Sequence, residues 1–225
     1  MVVCCALVFA GSGIAQGPGQ SSSSSKHTKS SSARLVSDLG VGTVANGVYR
    51  NPALGLSCKV PTGWVLRTEE MNSREEGDSH NPAESGSSPP ETQGAPGESQ
   101  GGRVLLAAFS RPPEARGEDV NASIVIAAEP ITTYPGLQEA AQYFGPVTEI
   151  AKAQGFTVDE EPYEMQVGTK VVVRGDFHKD VGSRVMRQST LVFLARGYAV
   201  SITVIGGTED EVEELMDGVK LGAVK

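Results

Sequence analysis

The chain is poor in the residues from which active centres are commonly built: three cysteines, three histidines and one tryptophan in 225 residues. Cys4 and Cys5 lie inside a short apolar run at the start, so Cys58 is the one thiol beyond it. A single thiol closes no internal disulfide and cannot make a cysteine metal centre. His27 and His80 fall in strongly polar, low-complexity stretches, which leaves His178 as the histidine of any folded region and excludes a multi-histidine zinc site. Basic residues are also scarce. Nineteen Lys and Arg against 27 Asp and Glu give a net charge of −8, the wrong balance for a phosphate-binding surface, and no nucleic-acid partner is expected. Aromatic residues make up 5%, so a core must rely on Val, Leu, Ile and Ala. The sequence contains no Gly-x-Ser-x-Gly elbow, no phosphate-cradling Gly-x-x-x-x-Gly-Lys loop and no dinucleotide fingerprint after a first strand. No cofactor is expected.

What is present divides into three kinds of sequence. Residues 1–15 read as a signal peptide. "VVCCALVFA" has the length of its apolar region, and small Gly13 and Ala15 precede a cut before Gln16. The run is short for a membrane span, so a membrane contact is expected only through this segment if it stays uncleaved. The implied location is periplasmic or secreted, in a bacterial context. Residues 16–45 read as a Ser-rich tether, with Lys26, Lys29 and Arg34 and no acid between 17 and 34. Residues 72–102 contain no Val, Ile, Leu, Met or aromatic residue. They have nothing to offset the entropy of ordering and read as a disordered acidic insertion. It interrupts a domain expected over 46–225.

Within that domain the apolar spacing is regular. "RVLLAAFS" (103–110) and "ASIVIAAEPI" (122–131) are strand candidates covered on both faces. In 134–156, Leu137, Ala141, Phe144, Thr148 and Ala151 recur at helical steps, with Pro146 expected to kink or split the helix. "YEMQVG", "TKVVVRGDFHK" and the long run from Ser183 to Gly206 read as successive antiparallel strands, turning at Arg196-Gly197. Tyr198, Val200, Ile202 and Val204 share one face of the last strand. Thr208 caps a final helix, with Glu211 completing a capping box and Val212, Leu215, Met216 and Val219 as its buried stripe. The fold class is α+β, an antiparallel sheet flanked by helices.

One stretch stands out. "VYRNPALGLSCKVPTGWVL" (48–66) reads as a hairpin whose second strand stops at Pro61 and sets Trp64 just past Gly63. With the order of elements that follows, this stretch resembles the PsbP-like fold, in which a Tyr-x-Asn segment and a Pro-x-Gly-Trp step recur. Tyr49, Asn51, Pro61, Gly63 and Trp64 match them over a resemblance covering about 47–71 and 103–223. The resemblance implies an α/β/α sandwich and a small, monomeric, non-catalytic exported module that docks to an envelope protein or holds a small ligand. Physically, Pro61 ends ladder pairing, Gly63 permits a sharp redirection, and Trp64 either caps the sheet's apolar edge or offers a stacking platform for a ligand. Cys58 alternates with Leu56 and Val60 on one strand face and reads as a small buried hydrophobe. The competing function is a small hydrolase or metal-dependent enzyme centred on His178. "GDFHKD" puts Asp176, His178 and Asp180 on one strand face, where a trio could hold a divalent cation; the alternative is a solvated strand face.

Overall fold

The computed structural model describes residues 39–78, 102–115, 117 and 119–222. The expected signal peptide, residues 17–34 and the stretch 79–101 lie outside them. Among the described residues twelve strands make two antiparallel sheets, accompanied by three α-helices. Strands β1 (Thr43–Ala45), β2 (Val48–Asn51), β3 (Leu56–Lys59) and β12 (Val219–Leu221) form the smaller sheet, in the order β1-β2-β3-β12. The larger runs β4 (Val65–Leu66), β5 (Arg103–Phe109), β6 (Ser123–Pro130), β11 (Tyr198–Gly206), β10 (Arg184–Ala195), β9 (Lys170–Val181). The outer edge of β9 is shared: β8 (Tyr163–Val167) pairs with Lys170–Arg174, and β7 (Thr157–Val158) pairs with Phe177 and His178.

Period-two alternation decides which layer covers which face. Val200, Ile202 and Val204 of β11 look one way with Ile124, Ile126 and Ala128 of β6. They meet Leu54, Leu56 and Cys58 of the smaller sheet and Val212, Leu215 and Met216 of α3 (Glu209–Asp217) in one core. Ala199 looks the other way, into a second cluster under α2 (Ala140–Ala153). On that same face Ala127 and Val125 pack under Met71 of α1 (Thr68–Asp78). The fold is therefore α+β, with two helices on one face of the large sheet. A small sheet and a third helix cover the other. The first hairpin belongs to the separate small sheet, because the buried faces of β2 and β3 pack across the large sheet rather than alongside it.

The Pro-Thr-Gly-Trp step joins the two. Trp64 N–H donates to Pro61 O at 3.3 Å and Gly63 adopts φ +85°, a turn that needs its glycine. The strand before it belongs to the small sheet and Val65–Leu66 after it to the large one. Tyr49 and Asn51, both buried, hold the neighbouring chain. Tyr49 OH donates to Val41 O (3.0 Å), and Asn51 Oδ1 accepts from Leu54 N–H (3.1 Å) to shape the hairpin turn.

Several boundaries differ from the sequence expectation. Leu39, which falls within the expected tether, is buried in the core, and Thr43–Ala45 pairs with β2. The stretch expected to be disordered from residue 72 is helical to Asp78. The Asn72 amide accepts from Val104 N–H (2.9 Å) and donates to Val104 O (3.0 Å), closing the edge of β5. The helix expected from 134 begins at Ala140, after two turns at 131–137. Its buried residues are Tyr143, Phe144 and Ala151, while Ala141 is exposed. It runs unbroken through Pro146, since side chains on both sides of the proline pack on the sheet. Val219 leaves the last helix for β12, because α3 stops at Asp217 and the chain turns to pair with Cys58. Thr208 Oγ1 accepts from Glu211 N–H at 3.1 Å as expected, but the Glu211 carboxylate accepts from Gly207 N–H (2.8 Å), one residue before the cap.

Candidate functional site

A cleft lies where α3 crosses β9 and β10. Arg174 occupies the centre of β9, in an otherwise apolar run, on the face opposite α2. It is 9% exposed, so its charge needs partners. Asp176, two residues on and therefore on the same face, accepts from Arg174 Nε at 3.0 and 2.9 Å. Glu213 reaches down from α3 and accepts from both Nη1 (3.1 Å) and Nη2 in a bidentate pair. Ser189 of β10, opposite Asp176 in the ladder, accepts from Arg174 Nη2 at 3.1 Å and donates to Asp176. Burial alone would disfavour the Arg174 charge; the hydrogen bonds and charges of Glu213 and Asp176 outweigh it and raise its pKa. The Arg174 hydrogen bond in turn holds Glu213 below the ordinary carboxylate range, against a smaller opposing effect of burial.

Around this floor is a cleft of about 350 Å³, walled by Tyr163, Glu160, Asp159, Arg187 and Glu209. Five carboxylates and two guanidinium groups line it. A smaller hollow of about 180 Å³ continues on the other side of Arg174 and Glu213, between Met165 and Val167 of β8 and Met216 and Val219. Arg174 and Glu213 line both, so their ion pair crosses a single groove between β8 and α3.

The three candidate cation ligands, Asp176, His178 and Asp180, are engaged differently. Asp176 is engaged by Arg174 and Ser189, His178 Nδ1 meets Asp159 Oδ1, and Asp180 is exposed. Among the described residues no group of three His, Cys, Asp or Glu side chains is placed to hold a metal ion. Nor, among them, does any hydrogen bond join His178 to a serine, threonine or cysteine. Cys58 is completely buried, and burial pushes its thiol up to about 12. Trp64 is half-buried and packs on the core shared by the two sheets. Arg174, Ser189 and Glu213 escaped the sequence reading. The available signal was an arginine inside "KVVVRGDF", a charge where the strand pattern demands a buried side chain.

A second buried acidic side chain lies under α2. Glu129 of β6 accepts from the Tyr134 hydroxyl, whose ring stands edge-on to Tyr143 with centroids 5.2 Å apart. Both tyrosine pKa values are raised, first by burial and then by Glu129.

No protein-family model matches the chain, and no curated protein sequence does. Among solved structures it is similar to LpqN, involved in cell envelope biogenesis of Mycobacterium tuberculosis, at 14% identity and a TM-score of 0.34 over 73% of this chain and 82% of that one. It is also similar to the Saccharomyces cerevisiae Ran-binding protein Mog1p, at 14% identity and a TM-score of 0.35 over 75% and 80%. A third is PA94 from Pseudomonas aeruginosa, described as a putative regulator, at 19% identity and a TM-score of 0.33 over 46% and 70%. No helix of the described residues is long and apolar enough to cross a membrane.

Proposed function

We propose that the chain is a non-catalytic binding module of PsbP-like type, exported, which docks to an envelope protein through the cleft between α3 and β8–β10. The observation that carries this reading is the state of the cleft's floor. Arg174, Asp176 and Ser189 satisfy one another and Glu213, which makes a rigid, preorganised base rather than a free nucleophile with its general base. The rim groups Glu160 and Glu209 remain exposed for a partner. The order of elements supports the PsbP-like assignment.

Site-directed photocrosslinking tests the reading. A photoreactive residue at Glu209 should give a discrete adduct in the native envelope, while one at Lys152, exposed on the opposite layer, should not. Equal labelling at both positions would argue against a docking cleft. Hydrolysis of a model ester by the purified protein, abolished by His178→Ala, would replace this reading with the enzyme one.

A further inference from the structure

The floor of the wide cleft does not balance its own charge. Arg174 is held against two carboxylates, Asp176 and Glu213, so the three groups together carry one negative charge. The side chains of Arg174 and Asp176 are only 11% and 16% exposed. A charge so placed is poorly solvated and gains from a further cation. The walls add to the excess. Asp159 is engaged by His178. Glu160, on the loop before β8, and Glu209, in the first turn of α3, line opposite sides of the cleft, are exposed, and make no ion pair among the described residues. Arg187 lies two residues before Ser189 on β10, opposite His178 in the ladder. With Arg187 counted, five carboxylates still face two guanidinium groups.

We infer that this cleft receives one arginine side chain of the docked partner, inserted from the solvent side between the loop before β8 and α3. This rests on the docking reading above. At about 350 Å³ the cleft is at the small end of ligand sites, with room for a long side chain while the partner's main chain stays outside. Tyr163 lines the same cleft, and its hydroxyl donates to Asp176 Oδ2 at 3.4 Å. That bond tethers an aromatic ring beside the floor, where a planar cation stacks. Glu160 and Glu209 approach from the two walls. The planar guanidinium fork, with five donors, can serve carboxylates on both sides and the floor beneath, whereas a lysine ammonium is a compact point charge. The positive end of the α3 dipole opposes a cation, but Glu209, Asp210 and Glu211 fill its first turn and offset it.

The test is an NMR titration of the isotope-labelled full chain with N-acetylarginine methylamide, a blocked residue whose one charge is its guanidinium. The Arg174 Nε–H and the backbone amides of Tyr163 and Glu209 should shift saturably, with a Kd of about 1–10 mM, the scale of a single side chain. Glu160→Gln and Glu209→Gln, both at exposed positions, should each weaken binding by about two- to fivefold, the worth of one exposed charge pair. The lysine analogue should bind more weakly, and the neutral citrulline analogue should give no saturable shift. No saturable shift with the arginine compound, equal response to citrulline, or indifference to both glutamine variants would each overturn the inference. Putrescine binding more tightly than the blocked arginine would assign the cleft to a free small cation and overturn it too. The two readings fail separately. An envelope adduct at Glu209 with no arginine binding retains docking and removes the inserted side chain, whereas arginine binding without any adduct retains the receptor cleft and removes the envelope partner.

Discussion

At Glu213 the titration of one carboxylate is coupled to the stability of the domain. The hydrogen bond from Arg174 lowers its pKa on folding. The pair therefore stabilises the fold above the unfolded carboxylate value of about 4.3, and that contribution is lost as pH falls through the lower folded value. Glu213 is 47% exposed, so solvent screening keeps the contribution near or below about 1 kcal/mol. Thermal melts of Glu213→Gln beside the parent chain should show a small deficit at neutral pH that closes below about pH 4; a deficit independent of pH would mean the two side chains are not coupled. Trp64 is the other residue with a readable signal. Half-buried against the shared core, it should lose about 3 kcal/mol as Trp64→Ala, the lower end of large aromatic deletions. Its emission should be blue-shifted yet partly open to quencher. Unchanged stability with red-shifted emission would return it to the role of ligand platform. Cys58, pushed up to about 12 by burial, should resist a thiol reagent in the native state of a Cys4→Ser, Cys5→Ser chain and react once urea is added.

Helix α2 is positioned by a glycine. A Cβ at Gly175 would stand 2.4 Å from Phe144 Cε1, so the ring of Phe144 packs directly on the backbone of β9. Gly175→Val should cost about 2–3 kcal/mol by forcing helix and strand apart. Gly145→Ala, in the same helix with no neighbour within 4 Å, should instead stabilise by about 0.5–1 kcal/mol through helix propensity. Urea titrations of the two variants measure both, and equal effects would mean that α2 is not seated on Gly175. At this scale the strands were the legible part. β8 to β11 follow the apolar alternation, and Arg196-Gly197, with φ +53° and +79°, makes the tight turn its residues foretell. The start of α2 was less legible, because Leu137 has helical spacing from Ala141 but packs from the preceding turn. Val219 fits the stripe of α3 equally well and is claimed by β3 across the small sheet.

Over the whole molecule, one apolar cluster joins both sheets and α3. The small sheet of short strands has no separate core on which to stand. Trp64 fluorescence, which reports on the junction, and far-UV circular dichroism, which reports mainly on the large sheet, should therefore unfold with one midpoint in urea. Two separated transitions would show that the sheets are independent units.

The sequence by itself determined the α+β class, the meander of long strands, the capped last helix and the turn at Gly63. Each follows from composition or from a period of two or 3.6 residues, which the chain displays locally. The tertiary structure alone decided that the first hairpin builds its own sheet, that the Asp176–His178–Asp180 trio divides among different partners, and that Arg174, Ser189 and Glu213 converge. Arg174 and Glu213 lie 39 residues apart, on a strand and a helix whose separate patterns name neither as the other's partner. A buried arginine in an apolar strand announces that a counter-charge is required, but its source depends on where α3 crosses the sheet, and that crossing is set by the packing of Val212, Leu215 and Met216 on the common core.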